Sequence, residues 1–135
     1  MKKIIPTATL VLLVTCYLPA CKKKDKQPTT LEKIQGKWLL ETDVSNDHFS
    51  GQDNIMTITG MPGDIIDFRT DGKVYTNIQG QLDTTTYSLS GDTKIVIDGN
   101  LNYEIKTLTS ASLILHERED GTGTDFYEET LSLKK

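Results

Sequence analysis

The sequence predicts an all-β protein of eight or nine short antiparallel strands that follow a short helical turn. From Trp38 onward, stretches of alternating apolar and polar residues recur, and helical periodicity is almost absent. Turn-forming glycine, aspartate and asparagine residues separate these stretches, as at residues 60–63, 71–72, 91–92 and 98–100. Short strands at this spacing are typical of an antiparallel barrel or sandwich.

The first 20 residues resemble the signal peptide of a bacterial lipoprotein. Lys2 and Lys3 form a charged leader, and residues 10–14 form an apolar centre. The apolar run is too short and too interrupted for a membrane-spanning helix, which needs about 20 apolar residues. Residues 18–21 (LPAC) resemble the lipobox, which implies cleavage before Cys21 and attachment of lipid to its thiol. An ordinary signal peptide is the alternative.

Cysteine usage and charge favour a lipid-anchored tether at residues 21–29. Cys16 leaves with the signal, so Cys21 would be a lone thiol in an oxidising compartment unless lipid modifies it. The tether is rich in lysine, whereas residues 29–135 have 9 basic against 18 acidic side chains. A basic tether below an acidic domain suits an anionic lipid surface, and a solvated linker is an equally good interpretation. The acidic domain argues against nucleic-acid binding.

A capped helical turn precedes the first strand. Thr29 lies three residues before Glu32, which is the spacing of a capping box. In that arrangement each side chain bonds the backbone N–H of the other residue. Leu31 and Ile34 share a face of the turn, and Gly36 can end it in a left-handed conformation.

Gly36 and Trp38 form a G-x-W motif at the head of the first strand, and here the chain resembles a lipocalin. More closely, the domain at residues 30–135 is similar to the lipocalin-like domains found as lipoproteins in Bacteroidetes. The resemblance implies a barrel built as a meander of eight strands, with Trp38 across its closed end. It also implies that an arginine late in the sheet packs on this tryptophan, and Arg118 is the arginine that matches.

The hairpin that follows Phe68 can be predicted to the level of its register. A two-residue turn would place Phe68 opposite Tyr75 and would mix apolar and polar side chains on one face. A three-residue Thr-Asp-Gly loop places Phe68 opposite Val74 and Ile66 opposite Thr76. Because a slip of one residue exchanges the two faces of a strand, we predict the three-residue loop.

Alternation along the strands also predicts which side chains point into the barrel. This inward set is Trp38, Leu40, Met56, Ile58, Ile66, Phe68, Val74, Tyr87, Leu89, Ile95, Ile97, Leu101, Tyr103, Ile105, Leu113, Leu115, Leu131 and Leu133. The candidates for ligand binding are Phe49, Met56, Phe68, Tyr87 and Tyr103. Because Trp38 marks the closed end, we expect the loop at residues 45–53 at the open end. Phe49 would then be a lid, or an anchor packed on the rim.

No pattern in the sequence indicates catalysis or a metal site. His48 and His116 are the only histidines, so a zinc site would need scattered carboxylates. Residues 120–125 lack the ligand spacing of a calcium loop and fit a hairpin turn better. The acids at positions 43, 47 and 53 are interpreted as parts of a solvated loop. Because no nucleophile motif is present, we expect neither enzymatic activity nor a cofactor.

The leading functional hypothesis is a lipid-anchored binding module of the cell envelope, at the outer membrane. Its barrel mouth would take a small apolar or amphipathic ligand. The alternative is an interaction or structural protein whose barrel is filled by its own side chains. Connected apolar space of about 300 Å³ or more would favour a ligand, and a solid interior would favour the alternative. We expect a monomer, while the protein partner and the membrane face stay open.

Overall fold

The computed structural model describes residues 27–135. They form α1 (Thr30–Ile34) and the strands β1 (Gly36–Phe49), β2 (Gln52–Thr59), β3 (Ile65–Phe68), β4 (Lys73–Ile78), β5 (Gln81–Ser90), β6 (Lys94–Ile97), β7 (Leu101–Leu108), β8 (Ser112–Asp120) and β9 (Phe126–Lys134). The predicted all-β fold with a short N-terminal helical turn is confirmed. The predicted signal peptide and Cys21 lie outside the described residues.

Eight of these strands close an antiparallel barrel, so the alternative of a sandwich is excluded. Strands β3 to β9 pair in sequence order, and β1 closes the ring between β3 and β9. Strand β2 pairs with β1 from Thr42 to Phe49 and has no second strand partner in the described part of the chain. Both β2 and β3 run antiparallel to β1, so they point in the same direction and are separated by residues 60–64.

The connections between strands define two halves of the barrel. The closed half contains α1 and the β3–β4, β5–β6 and β7–β8 connections, and the open half contains the β1–β2, β4–β5, β6–β7 and β8–β9 connections. The closed half holds a solid core. Its fully buried side chains include Ile34, Trp38, Phe68, Leu113 and Leu133.

The N-terminal turn seals the closed half. The predicted capping box is present, because the backbone N of Thr29 donates to Glu32 Oε2 (2.7 Å) and the backbone N of Glu32 donates to Thr29 Oγ1 (3.2 Å). The helix ends at Ile34, whose carbonyl oxygen accepts a hydrogen bond from Trp38 Nε1 (2.7 Å). Gly36 has a φ of 113°, which favours glycine, but it begins β1, and Gln35 is the C-cap residue.

The predicted register of the β3–β4 hairpin is confirmed. Phe68 pairs with Val74, and Ile66 pairs with Thr76. Gly72 has a φ of 79°, as the three-residue loop requires. The apolar faces of both strands therefore point into the core, where Phe68 and Val74 are buried.

The prediction that Arg118 packs on Trp38 is wrong. The cation over the indole ring is the ammonium group of Lys135, at 4.4 Å from the ring centroid. Arg118 lies in the open half, where its guanidinium group stacks 3.8 Å from the ring centroid of Phe126. Strand β8 runs from the closed to the open half, so a residue near its end cannot reach Trp38.

The prediction of a long loop at residues 45–53 is also wrong. Strand β1 continues to Phe49, and a tight turn leads into β2 at Gln52. Most of the predicted inward set is buried or packs against the core, but Met56 and Leu101 are exposed. Met56 lies on the same face of β2 as Ile58, as alternation predicts. Among the described residues this part of β2 pairs with β1 alone, and the Met56 side chain stays 59% exposed.

A close contact marks the point where the chain leaves β2. A Cβ atom at Gly60 would lie 2.0 Å from the carbonyl oxygen of Leu40, so only glycine fits. The buried carboxylate of Asp64 then accepts hydrogen bonds from the backbone N of Met61 (2.9 Å) and of Gln79 (2.8 Å). Residues 60–64 are therefore tied to the β4–β5 turn.

Candidate functional site

The open half of the barrel contains a cavity of about 260 Å³. Much of its wall is apolar, but four carboxyl groups and one phenol also line it. The apolar side chains include Ile66, Val74, Ile78, Ile97 and Leu131, and the polar ones include Asp43, Asp83, Asp98, Tyr103 and Glu129. The barrel is thus solid in its closed half and hollow in its open half.

A β-bulge in β1 directs Asp43 into this cavity. Leu40 pairs with Leu133 on β9, but the next inward pair is Asp43 with Leu131, because the register shifts between Leu40 and Thr42. Regular alternation from Leu40 would have directed Thr42 inward and Asp43 outward. The extra residue reverses the alternation for the rest of β1.

Asp43 and Glu129 lie next to each other on the cavity wall. Glu129 is two residues before Leu131 on β9 and shares its inward face. The side chains of Asp43 and Glu129 are within hydrogen-bonding reach of each other. Oδ1 of Asp43 is buried without a hydrogen-bond partner in residues 27–135. One wall of the cavity therefore presents a pair of acidic groups with spare hydrogen-bonding capacity.

Burial changes the acidity of this pair. It raises the pKa of Glu129 above its ordinary value, and the neighbouring charge of Asp43 adds to the rise. The Tyr103 hydroxyl donates a hydrogen bond to Glu129 Oε2, which opposes part of this rise in pKa. Burial likewise raises the pKa of Asp43. Because two adjacent carboxylates repel each other, holding one proton between them is favourable.

The hydroxyl group of Tyr103 is a hydrogen-bond donor to Glu129. Burial is the largest cause that raises its pKa, and the negative charge of Glu129 is the next. The phenol therefore stays protonated. Glu117, also buried, accepts a hydrogen bond from the backbone N of Asn102 (2.9 Å), and burial raises its pKa too. This part of the open half thus contains three carboxyl groups whose charged forms are disfavoured.

The charge of the domain is divided unequally between the two halves. Among the described residues, the open half has Arg118 as its single lysine or arginine. Its acidic residues are Asp43, Asp47, Asp53, Asp64, Asp83, Asp98, Glu117, Glu119, Asp120, Asp125, Glu128 and Glu129. The other eight basic residues, Lys33, Lys37, Arg69, Lys73, Lys94, Lys106, Lys134 and Lys135, lie in the closed half. The mouth of the barrel is therefore strongly acidic.

The structure brings one of the five predicted ligand-binding residues to the cavity. Tyr103 lines it, whereas Phe68 and Tyr87 pack edge to face in the sealed core, with ring centroids 5.1 Å apart. Met56 and Phe49 are exposed, on β2 and at the tip of the β1–β2 hairpin.

The cavity carboxylates were not predicted from the sequence. The sequence places Asp43 with a solvated loop, because nothing local shows that a bulge reverses the alternation after Leu40. Glu129 could have been found, because it alternates with the inward residues Leu131 and Leu133. In the described residues, no group of three or more His, Cys, Asp or Glu side chains is placed to hold a metal ion.

Comparison with known proteins identified no relative: no family model, curated protein or solved structure matches the chain. The resemblance to lipocalin-like lipoproteins therefore stays a prediction from Gly36, Trp38 and the residues around Cys21. Within residues 27–135, the single helix is too short to cross a membrane.

Proposed function

We propose that this protein is a lipid-anchored, lipocalin-like binding module of the cell envelope, at the outer membrane. Its cavity takes a small amphipathic ligand whose polar group carries positive charge or donates hydrogen bonds. The observation that carries the proposal is the pairing of Asp43 with Glu129 on the wall of an otherwise largely apolar cavity. An ammonium group there would relieve the repulsion between the carboxylates, while apolar walls cover the rest of the ligand.

The size of the cavity restricts the ligand. At about 260 Å³ the space is slightly below the about 300 to 1,000 Å³ typical of sites for drug-sized molecules. It is also slightly below the connected apolar volume of about 300 Å³ that would favour a ligand over a filled barrel, although the interior is not solid. A compact amine fits these properties better than a long acyl chain, and the expectation that the protein is not an enzyme stays a prediction.

The position of α1 supports an orientation for the anchored protein. The described chain enters at the closed half, where α1 packs below Trp38. Only a short tether separates α1 from Cys21, so a lipid on Cys21 would hold the closed half nearest the membrane. The acidic mouth would then face away from the anionic lipid headgroups, which repel it.

Calorimetric titration with three probes of similar shape tests the ligand chemistry. Phenethylamine, phenethyl alcohol and phenylacetate share an aromatic ring and differ in charge. We expect the amine to bind most tightly, the alcohol more weakly and the carboxylate not at all. The substitution Asp43→Asn should weaken binding of the amine by about tenfold, because a hydrogen-bonded charge contributes about 1.5 to 3 kcal/mol.

Asp92→Asn is the matched control, because it makes the same change of charge in an exposed turn of the closed half. It should leave the affinity for phenethylamine unchanged. Equal binding of the three probes, or equal loss of affinity in the two variants, would contradict a site at Asp43.

A further inference from the structure

The strand β2 presents a free edge to solvent. Its eight residues pair with β1 on one side, and the described residues supply no strand on the other. About half of the backbone N–H and C=O groups of such an edge point outward and can pair with an added strand. We propose that β2 binds an extended, positively charged segment of another protein by strand addition.

The composition of β2 suits this role. Protein edges are usually protected by lysine, proline or a bulge. β2 has none of these residues, and its pairing with β1 is regular from Gln52 to Thr59. Its central side chains Ile55 and Met56 are 64% and 59% exposed. An uncovered apolar edge of this kind is a surface that strand addition would bury.

A groove runs beside this edge. Its volume is about 500 Å³, and it lies between β2 and the β4–β5 hairpin, with Ile58, Ile78 and Leu82 among the residues that line it. Leu82 is 66% exposed, although it is a large apolar residue. The β4–β5 hairpin forms the wall opposite β2. Its turn is anchored to residues 60–64, because the backbone N of Gln79 donates a hydrogen bond to Asp64 Oδ1 (2.8 Å). An added strand can therefore pair with β2 and place alternate side chains against a groove whose walls are partly apolar and partly polar.

The negative charge of the open half favours a positively charged partner. Asp83 lines the groove, and Asp53 lies on β2 itself, where its Oδ1 already contacts Asn46 (3.0 Å) and His48 (2.8 Å). Arg118 is the single lysine or arginine of the described open half and is already paired with Asp120 (2.9 Å) and Glu128 (3.4 Å). A strand with alternating apolar and Lys or Arg residues complements this field. A second copy of the chain would bring a second acidic open half beside the first, so we infer a different, basic partner.

Two synthetic peptides test this inference. Each has eight residues with blocked ends, and valine alternates with lysine in one and with glutamate in the other. The protein is the full chain in lipid nanodiscs, the affinity is measured by fluorescence anisotropy, and the site by hydrogen–deuterium exchange. We expect the lysine peptide to bind and to slow exchange in β2, whereas the glutamate peptide does not bind.

Methylation of the peptide separates strand addition from simple charge attraction, and a substitution on β2 locates the site. Methylation of alternate backbone nitrogens of the lysine peptide keeps its charge but removes donors, and it should abolish binding. Met56→Lys should weaken binding by about tenfold or more, because lysine on an edge strand opposes pairing. Leu39→Lys is the control, since it adds the same charge at another exposed apolar residue, which is 40% exposed on β1.

Several results would overturn the proposal. The first is that the lysine peptide does not bind at all, and the second is that the methylated peptide binds as tightly as the unmethylated one. The third is that Met56→Lys and Leu39→Lys weaken binding of the lysine peptide equally. Slow exchange in β2 without peptide, together with a dimer in sedimentation, would show that a second copy covers the edge. Ile78 and Asp83 line both the groove and the cavity, so the variants separate the two proposals. Met56→Lys should leave the affinity for phenethylamine unchanged, and Asp43→Asn should leave slow exchange in β2 with the lysine peptide unchanged.

Discussion

The closed and open halves of the barrel share strands and a pattern of alternation, but their interiors differ. In the closed half the inward positions are apolar, and Trp38, Phe68 and Leu133 fill the space completely. In the open half the inward positions include Asp43 and Glu129, and about 260 Å³ is left empty. Closing a small barrel therefore does not decide whether it is filled. The side chains at a few inward positions decide it.

The largest expected effect is the loss of a large side chain from the closed half. Trp38→Ala should lower the free energy of unfolding by about 3 to 5 kcal/mol, because it leaves a cavity that the surrounding core cannot fill. Met56→Ala, at an exposed position, should change it by less than about 0.5 kcal/mol. Urea unfolding measures both. Similar costs for the two substitutions would mean that the closed half is not the stabilising core.

A second prediction concerns the boundary between β2 and the ring. Gly60→Ala should cost about 2 to 3 kcal/mol, because its Cβ would overlap the Leu40 carbonyl oxygen. Gly51→Ala is the control, because its φ of 78° is strained for alanine but no atom lies within 4 Å of the added Cβ. It should cost about 1 kcal/mol. If the two variants are equally stable, the close contact at Gly60 is not present in solution.

A third prediction follows from the raised pKa values of the open half. Burial raises the pKa of both Asp43 and Glu129, so between the unfolded and folded pKa values the native state holds more protons than the unfolded chain. Their contribution to stability is therefore present near pH 4 and is lost as the pH rises through the folded pKa values. Glu129→Gln should be more stable than the wild type at neutral pH, and this advantage should disappear near pH 4.

Urea unfolding of both proteins across this pH range is the measurement. Glu128→Gln is the matched control, because Glu128 lies on the outer face of β9 beside Arg118. A constant difference between wild type and Glu129→Gln at all pH values would contradict the raised pKa values.

The smallest expected effect is the contact between Lys135 and Trp38. An ammonium group over an indole face contributes about 0.5 to 2 kcal/mol, so a double-mutant cycle of Trp38→Phe with Lys135→Gln should show coupling in the lower part of this range. The same cycle with Arg118→Ala should be additive within about 0.3 to 0.5 kcal/mol. Coupling to Arg118 in place of Lys135 would restore the arrangement that the lipocalin resemblance implied.

The sequence predicts the closed half well because that half follows local rules. The capping box at Thr29 and Glu32 is a pattern of four residues, and the register of Phe68 and Val74 follows from one turn and one apolar face. Both depend on neighbours in the chain, and both are confirmed. The resemblance to lipocalins points to Arg118 as the cation over Trp38, but the cation is Lys135, which reaches the ring only because β9 pairs with β1.

The open half could be predicted only in part. Tyr103 reaches the cavity by simple alternation on β7. Asp43 reaches it through a bulge that has no signal in the local sequence. Met56 is exposed on β2, which pairs with β1 and lies outside the ring of eight strands. These features depend on how distant strands pair, and alternation within one strand does not contain that information.

The most direct test of the central claim is a carbon-13 NMR titration of the side-chain carboxyl groups of Asp43 and Glu129, with and without phenethylamine. Without the amine, both carboxyl groups should titrate above their ordinary pKa values, because the open half buries them beside each other. With saturating amine, both pKa values should fall, since an ammonium group in the cavity stabilises the charged forms. Ordinary pKa values that do not respond to the amine would contradict a ligand site built on this pair.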